Sequence, residues 1–249
     1  MRVLDLFAGL GGWSAPFRDH GHDVTTLDVD PRFGCDLTID VLEWESAGRY
    51  DVITASPPCE CFSVMTFGRY WRPGRIPRDD KARLAVRLVE RTVELIELLE
   101  PAYYVVENPV GMLRKLPPLA GRERRTVTYC QYGTPFRKPT DLWGGFPPSL
   151  ELRRMCRNGD PCHVAAPRGS FTGIQGEGVV DLWGNPSSSS YTPGQAGSCT
   201  HIDGADPRER AALRAVIPYR LADAFRSACE RDLEAGNPAA RVQLSLLDR

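Results

Sequence analysis

The chain has 249 residues, of which 42% are hydrophobic and 25% charged, with a formal net charge of −1. This length can bury a core without disulfides, and no apolar run reaches the roughly 18 residues of a membrane span. The balanced charge gives no global attraction to polyanions, so such a partner would need a local basic patch. The N-terminal sequence does not have the pattern of a signal peptide, so a reducing cytoplasm is the expected compartment.

Strand and helix patterns alternate over the first 130 residues. Between the third and fourth strands, segment 81–100 has apolar residues at helical spacing and is followed by Pro101. This alternation predicts a parallel α/β sheet, in which ligands bind beyond the carboxyl ends of the strands. The predicted strands are the short apolar runs at 2–7, 23–29, 51–56, 103–107 and 126–130.

The first predicted strand leads into the glycine-rich sequence DLFAGLGG at 5–12. Glycines between a strand and a helix let the backbone approach a ligand closely, although Gly9 and Gly11 would also suit a tight turn. The next strand ends at Asp28, whose carboxylate could accept hydrogen bonds from ribose hydroxyls or cap the strand end. Together the two features indicate a cofactor that contains adenosine. The absence of a phosphate-loop lysine argues against a nucleoside triphosphate.

Two further strands end in reactive side chains. In SPPCECFS, two prolines hold the chain rigid before Cys59, which suits a nucleophile, although a buried loop cysteine is the alternative. Cys61 adds a redox or metal alternative, but the pair lacks the two-residue spacer of thioredoxin-type motifs. Glu107, in VVENP, could share a proton with a substrate or cap the strand.

The segments DLFAGLGGWS, SPPCECFS, VVENP and QYGTPFRKPT, in this order, resemble the DNA cytosine-5 methyltransferases. The combination of QYG and KPTDLW with GDPCHVAAPRGS resembles the small, phage-type members of that family. The resemblance extends over about 1–145 and weakly over 207–230. It implies a Rossmann-like fold that depends on S-adenosylmethionine. It also implies that Cys59 adds to carbon 6 of an extruded cytosine and that Glu107 protonates ring nitrogen 3.

The chain departs from the family pattern at several positions. Glu60 stands where the family has Gln, and Pro109 where it has Val. Lys138 and Thr140 stand where the family has two arginines. We therefore assign the contact to the cytosine ring oxygen to Lys138 or Arg137.

The resemblance also implies residues that contact the methyl donor and DNA. Segment 63–78 is expected to be a mobile loop that closes over the extruded base, with basic stretches at 69–91 and 114–138 that suit phosphates or, in part, a solvated helix face. The expected DNA contacts are Ser63, Arg69, Arg72, Arg75 and Arg168. The expected donor contacts are Phe7, Gly9, Leu10, Gly11, Gly12, Asp28, Asp40, Leu84 and Ile217.

Glycine, proline and serine dominate much of the sequence after the core. We predict a catalytic core at 1–143, an irregular target-recognition region at 144–206 and a C-terminal helix and tail at 207–249, with helical spacing over 207–234. So small a region can place few base-reading side chains, which predicts a site of roughly two to four base pairs. The expected base readers are Arg153, Arg154, Arg157, Arg168 and Gln175.

Several metal-capable residues lie in this last part of the chain. Their spacing matches no standard zinc finger, so scattered core cysteines are expected and no metal is assigned, with zinc as the alternative. The residues concerned are Cys156, Cys162, His163, Cys199 and His201.

The predicted function is methyl transfer from S-adenosylmethionine to carbon 5 of cytosine in double-stranded DNA, by a monomer. The same chemistry on RNA is one alternative. A catalytically silent relative that only binds nucleic acid is another, which the presence of Cys59 and Glu107 disfavours. The sequence leaves open the recognition site and the biological role, whether phage protection, restriction-modification or regulation.

Overall fold

A computed structural model describes residues 1–46, 48–134, 136–157, 160–163, 175–176 and 215–236. None of the helices within these ranges is long and apolar enough to cross a membrane. The strands are β1 (Arg2–Leu6), β2 (Asp23–Asp28), β3 (Leu37–Thr38), β4 (Val52–Ala55), β5 (Trp71–Arg72), β6 (Ile76–Pro77), β7 (Tyr103–Pro109), β8 (Arg124–Thr128), β9 (Phe136–Arg137), β10 (Pro139–Gly145) and β11 (Gln175–Gly176). The α-helices are α1 (Ser14–Asp19), α2 (Phe67–Tyr70), α3 (Asp80–Leu99) and α4 (Tyr219–Glu234).

A seven-stranded sheet organises the fold, in the order β3-β2-β1-β4-β7-β10-β8. The first five of these strands run parallel, and β10 runs antiparallel to both of its neighbours. This confirms the predicted Rossmann-like α/β class. All five predicted strands are present, with bounds that differ by one or two residues.

The sheet is mostly parallel, as predicted, but the sequence did not reveal the antiparallel strand β10. Thr140 and Asp141 break its apolar run, yet both are fully buried. An ion pair with Arg114 neutralises Asp141, and Thr126 donates a further hydrogen bond to it at 2.7 Å. A charged residue can occupy a central strand here because partners from elsewhere in the chain satisfy it.

Helices cover both faces of the sheet. On one face, α3 begins at Asp79, whose side chain accepts from Ala82 N at 2.8 Å, and ends at Glu100 in the left-handed conformation before Pro101. Its buried residues include Val89 and Ile96, which pack into one core cluster. The spacing of apolar residues in the sequence predicted this helix, and its bounds agree to within one residue.

On the other face, α1 and α4 pack together. The rings of Trp13 and Phe225 meet edge to face with centroids 5.8 Å apart, and Leu221 is fully buried in the second core cluster. The predicted C-terminal helix is therefore confirmed for Tyr219–Glu234, whereas 207–214 lies outside the described residues. The predicted boundary at 143/144 falls inside β10, and Phe146 and Leu150 still pack on this core. The three-region division stays a prediction.

The strand order reverses between β1 and β4. After β1 the chain adds β2 and β3 on one side, and then crosses to add β4 and β7 on the other. The carboxyl ends of β1 and β4 therefore face a crevice of the kind that binds ligands in open α/β sheets. The loops after β1, β2, β4 and β7 open at this edge, as do the end of β8 and the start of β10.

Candidate active site

The loop after β1 has a backbone conformation that favours glycine. Gly9 and Gly11 have φ angles of 52° and 75°, and Phe7 also has a positive φ of 57°. Gly9 N donates to Asp28 Oδ2 at 3.0 Å, which joins this loop to the end of β2. A Cβ at Gly12 would lie 2.6 Å from Ile217 N, so glycine at this position lets the segment before α4 lie against the loop.

The geometry around Asp28 suits the ribose and base of an adenosine. The second oxygen of Asp28 accepts from Asp30 N at 2.9 Å, so two backbone N–H groups hold the carboxylate in place. On either side, Leu10 and Val29 expose 52% and 65% of their surface, although both are apolar. A ligand with an apolar ring and hydroxyl groups would cover the exposed side chains and use the remaining lone pairs of Asp28.

The three other residues expected to contact the donor differ in position and in exposure. Asp40 follows β3 at the same edge as Asp28, and its carboxylate accepts from Leu42 N at 2.9 Å. Leu84 lies on α3 and is 49% exposed. Ile217 is buried against Gly12. The contacts of all three with a donor stay predictions.

Cys59, Glu107, Tyr129 and Lys138 come together at the crevice from four separate segments. Tyr129 donates from its hydroxyl to Glu107 Oε1 at 2.7 Å, and Lys138 Nζ lies 3.6 Å from the same oxygen. Lys138 Nζ also lies 4.5 Å from the centroid of the Tyr129 ring. Glu107, Tyr129 and Lys138 are all buried, whereas Cys59 is partly exposed to the crevice.

Opposing charges surround the Cys59 thiol. Burial raises the pKa of Cys59, and the Glu107 carboxylate adds to the rise, whereas the Lys138 ammonium lowers it. Burial and the Glu107 carboxylate also raise the pKa of Tyr129 well above its usual value. Tyr129 therefore remains a neutral donor, and Lys138 is the group in this cluster that favours a Cys59 thiolate.

Hydrogen bonds fix the loop that carries Cys59 between its neighbours. Ser56 accepts from Trp13 Nε1 at 3.2 Å, on the side of the glycine loop. On the other side, Asn108 Nδ2 donates to Pro57 O at 2.9 Å. The backbone N–H of Met112 also donates to Phe62 O, at 2.7 Å.

Gly111 is required at the last of these contacts. A Cβ at this position would lie 2.0 Å from Phe62 O. The residue also forms an isolated antiparallel bridge with Ser63. The loop that carries Cys59 is thus joined, through a glycine, to the segment that follows β7, the strand that carries Glu107.

The segment after Cys59 packs against this loop. Tyr70 and Trp71 are buried, and Trp71 Nε1 donates to Cys61 O at 2.6 Å. Glu60, one of the departures from the family pattern, accepts from the Tyr70 hydroxyl and from Lys81 Nζ at 2.6 Å. Segment 63–78 contains α2 and the β5–β6 hairpin, and its expected closing motion stays a prediction.

Only part of the basic excess in the sequence is available to a polyanion. On α3, Arg83, Arg87 and Arg91 pair with carboxylates of the same helix. Five exposed cations on and around the β5–β6 hairpin have no ion-pair partner among the described residues, and we call them the hairpin cations: Arg69, Arg72, Arg75, Arg78 and Lys115. Arg75 Nη1 donates to Lys115 O at 3.0 Å, which holds two of them together.

The remaining assigned residues have distinct environments. Lys138, rather than Arg137, lies beside Glu107, because Arg137 Nη2 instead donates to Cys156 O at 3.3 Å. Arg153 Nη1 donates to Gln131 O at 2.6 Å. Arg154 and Arg157 are exposed, and Gln175 pairs with Arg137 across β11 and β9. Arg168, Cys199 and His201 lie outside the described residues.

Sequence reasoning missed Tyr129 and Asn108 as parts of the site. Tyr129 directly follows the last residue of β8, two positions before the QYG segment, and this position at a strand end was the available signal. Asn108 is buried and follows Glu107 directly. Its role becomes visible only through its bond to Pro57 in a distant loop.

Comparison with known structures places the fold among the methyltransferases. No protein-family profile matches the chain. The structure of the Entamoeba histolytica methyltransferase EhMeth is similar over 94% of this chain and 98% of that one, with a TM-score of 0.51 and 10% sequence identity. At this identity the similarity supports the fold class alone.

Sequence comparison identifies the family. A protein of frog virus 3 named "Probable DNA (cytosine-5)-methyltransferase" is 31% identical over 173 residues, which cover 64% of this chain and 78% of that protein. The type II methyltransferase M.XorII of Xanthomonas oryzae pv. oryzae is 30% identical over 130 residues, which cover 44% of this chain and 28% of that protein. The chain belongs to the DNA (cytosine-5)-methyltransferase family, which confirms the predicted family and enzyme class.

Proposed function

We propose that this chain methylates carbon 5 of cytosine in double-stranded DNA, with S-adenosylmethionine as the donor and Cys59 as the covalent nucleophile. Family membership supplies the reaction class. The observation that carries the residue assignment is the meeting of Cys59 with Glu107 and Lys138 beside the glycine loop. The geometry at the crevice suits both a donor and a base.

The donor would lie across the ends of β1 and β2. Asp28 would accept from the ribose hydroxyls, the Gly9–Gly11 backbone would pass close to the ligand, and Leu10 and Val29 would flank its apolar part. Bound there, S-adenosylmethionine supplies an electrophilic methyl group on a sulfonium. Phe7 and Gly12 keep the loop in its conformation.

The target cytosine must leave the base stack to reach Cys59, at a cost of a few kcal/mol. The Cys59 thiolate forms a bond to ring carbon 6, and Glu107 gives a proton to ring nitrogen 3, which neutralises the charge that develops on the ring. The electron pair displaced toward carbon 5 would form the new bond to the methyl group as the bond between that group and the sulfonium breaks and a neutral thioether leaves. Loss of the carbon 5 proton to water then returns an electron pair to the ring and breaks the bond between carbon 6 and Cys59 Sγ, while nitrogen 3 returns its proton to Glu107.

Lys138 stabilises the charges in this cycle. It is the cation closest to Glu107 and the one that favours ionisation of Cys59. Tyr129 positions Glu107 through a hydrogen bond at 2.7 Å. Neither role requires an arginine at the position of Thr140.

The hairpin cations supply the contact to DNA. Four of them lie on the segment that follows Cys59, and Lys115 is hydrogen-bonded to that segment through Arg75. All five are exposed, and phosphates are their natural partners. The relative from frog virus 3 is named a probable DNA (cytosine-5)-methyltransferase, which favours DNA over RNA as the substrate. A monomer acting in the cytoplasm is the accompanying expectation.

A trapping experiment tests the nucleophile. A duplex that carries 5-fluorocytosine cannot lose the carbon 5 substituent as a proton, so the covalent adduct accumulates. The wild-type protein and Cys61→Ala should both form a denaturation-resistant complex with this DNA in the presence of S-adenosylmethionine. Cys59→Ala should form none, while calorimetry shows unchanged donor binding. The reverse result for the two variants would refute the assignment.

Nucleoside mass spectrometry tests the substrate. DNA from cells that express the protein should contain 5-methylcytosine above the level in cells that express Cys59→Ala. Enrichment in RNA alone would show that the RNA alternative is correct.

A further inference from the structure

Three cysteines and a histidine converge at the single 3-10 turn Tyr129–Tyr132, which follows β8. Cys130 belongs to this turn, and Cys156, Cys162 and His163 come from the segment that follows β10. One ligand atom from each of the four residues lies within 4.8 Å of all the others. The sequence singled out three of these residues but not Cys130, which is 26 positions away from Cys156.

The spacing matches a tetrahedral metal site. Cys130 Sγ lies 3.2 Å from Cys156 Sγ and 3.6 Å from Cys162 Sγ. His163 Nδ1 lies 3.3 Å from Cys162 Sγ and 3.8 Å from Cys156 Sγ. Zinc bonds of ordinary length in a regular tetrahedron place two sulfurs about 3.8 Å apart and a sulfur and a nitrogen about 3.5 Å apart. Small shifts would convert the observed arrangement into this geometry.

A disulfide explains the cluster less well. All the sulfurs lie well beyond the bond length of about 2.05 Å, and three cysteines cannot all be paired within the group. A disulfide would also leave His163 without a role, although its Nδ1 faces two of the sulfurs. A site with four donors uses every residue in the cluster.

The surrounding chain has little apolar support of its own. Between Leu150 and His163, the described residues are mostly exposed, and only Leu150 and Cys156 are buried. Leu150 and Leu152 pack on the second core cluster, and beyond them the segment reaches the core through polar contacts such as Cys156 N to Thr128 Oγ1 at 3.0 Å. A loop-rich segment of this kind is typical of those that a structural metal holds in place.

We propose that Cys130, Cys156, Cys162 and His163 form a structural Zn²⁺ site, with the metal bound by three Sγ atoms and by His163 Nδ1. The four protein ligands complete the tetrahedron and leave no open position, as in structural zinc sites. On binding, the three thiols release their protons to solvent and coordinate as thiolates. Gln131 Nε2 donates to Cys162 Sγ at 3.1 Å, an outer contact of the kind that orients a metal ligand.

The site links the start of the 144–206 segment to the active site. Cys130 directly follows Tyr129, the partner of Glu107, and Arg137 reaches Cys156 O from the residue next to Lys138. Three thiolates and a neutral imidazole give the zinc site a net charge of −1, and the Arg137 guanidinium lies at its edge. The metal would hold the segment expected to read DNA at a fixed distance from the catalytic cluster.

Metal analysis of the full-length protein tests the site. Protein purified from a zinc-containing medium without chelator should contain one zinc per chain by inductively coupled plasma mass spectrometry. Cys156→Ser and Cys162→Ser should each lose it on dialysis against a chelator that leaves the wild-type content intact. Cys35→Ser is the matched control and should retain zinc, because Cys35 lies beside Gly9 rather than in the cluster.

Two further measurements on the wild-type protein keep the test independent of how the variants fold. Protein produced with Co²⁺ should show the intense ligand-field and sulfur-to-metal bands of tetrahedral thiolate coordination. X-ray absorption at the zinc edge should give three sulfurs at about 2.3 Å and one nitrogen at about 2.0–2.1 Å.

Three results would overturn the proposal. They are wild-type protein that contains no zinc and does not acquire it from added Zn²⁺, full zinc retention in Cys162→Ser, and a disulfide among these cysteines in protein handled without oxidant. Metal content does not depend on methyl transfer. A failure of the zinc site can therefore be distinguished from a failure of the proposed function.

Discussion

Replacing Lys138 by methionine removes the cation from the catalytic cluster and keeps a side chain of similar length. Lys138 Nζ lies 3.6 Å from Glu107 Oε1 and the residue is 8% exposed. Two unit charges at this distance interact by about 4–5 kcal/mol at an effective dielectric constant of about 20. No hydrogen bond joins Nζ to Cys59 Sγ among the contacts of the described residues, so this figure is an upper bound on the stabilisation that the Cys59 thiolate gains from the Lys138 ammonium.

A loss of about 1.4 kcal/mol of stabilisation is already sufficient to lower the thiolate population about tenfold at a pH below the pKa of Cys59. Without Lys138, burial and the Glu107 carboxylate both raise the pKa of Cys59, and the cluster holds no other cation to oppose them. Alkylation of Cys59 by iodoacetamide should therefore slow by the same factor, and its pH profile should move to higher pH. Mass spectrometry of the Cys59 peptide measures this without DNA or donor.

Three companion variants make the measurement selective. Lys138→Arg should restore most of the alkylation rate because it restores the charge. Lys115→Met removes an exposed cation outside the cluster and should leave the rate unchanged. Adding Glu107→Gln to Lys138→Met should recover part of the rate because it removes the opposing carboxylate. Normal alkylation of Lys138→Met together with slow methyl transfer would refute thiolate stabilisation and assign Lys138 to substrate contact.

The other predictions concern the remaining parts of the site. Glu107→Gln should lower the methylation rate on the order of 10²–10⁴-fold with unchanged donor affinity by calorimetry, and near-normal turnover would remove Glu107 from the mechanism. Asp28→Ala should weaken binding of S-adenosylmethionine by about 1–3 kcal/mol, and unchanged affinity would move the ribose contact elsewhere. Gly111→Ala should lower stability by about 1–3 kcal/mol in thermal unfolding, because its Cβ would meet Phe62 O at 2.0 Å. Gly68→Ala, which has no atom within 4 Å of its Cβ, is the control and should unfold within about 1 °C of the wild type.

The sequence predicted the residues that follow strands better than those that complete the site from a distance. Cys59 and Glu107 lie at the ends of parallel strands, and such ends meet at one edge whatever the details of the fold. Tyr129 reaches Glu107 across 22 positions, and Asp141 is tolerated in β10 only because Arg114 neutralises it. Pairings of this kind depend on tertiary packing, which the local periodicity of apolar residues does not reveal.

The metal ligands illustrate the same limit. Cys162 and His163 are adjacent, but Cys130 joins them only because β8 and the segment after β10 bring their ends together. The pairing of strands sets the distance between such ligands in space, and the number of residues between them in the sequence does not reveal it. The fold class, in contrast, follows from alternation of strands and a helix, which is a local signal.

The contact between Gly12 and Ile217 has a consequence for synthesis of the protein. The glycine loop packs against residues that are translated much later than the loop itself, and His22 is bonded to Glu230 across 208 positions. A nascent chain that has not yet released α4 from the ribosome lacks the segment that packs against this loop. We therefore expect a growing polypeptide to bind the donor weakly until this helix docks.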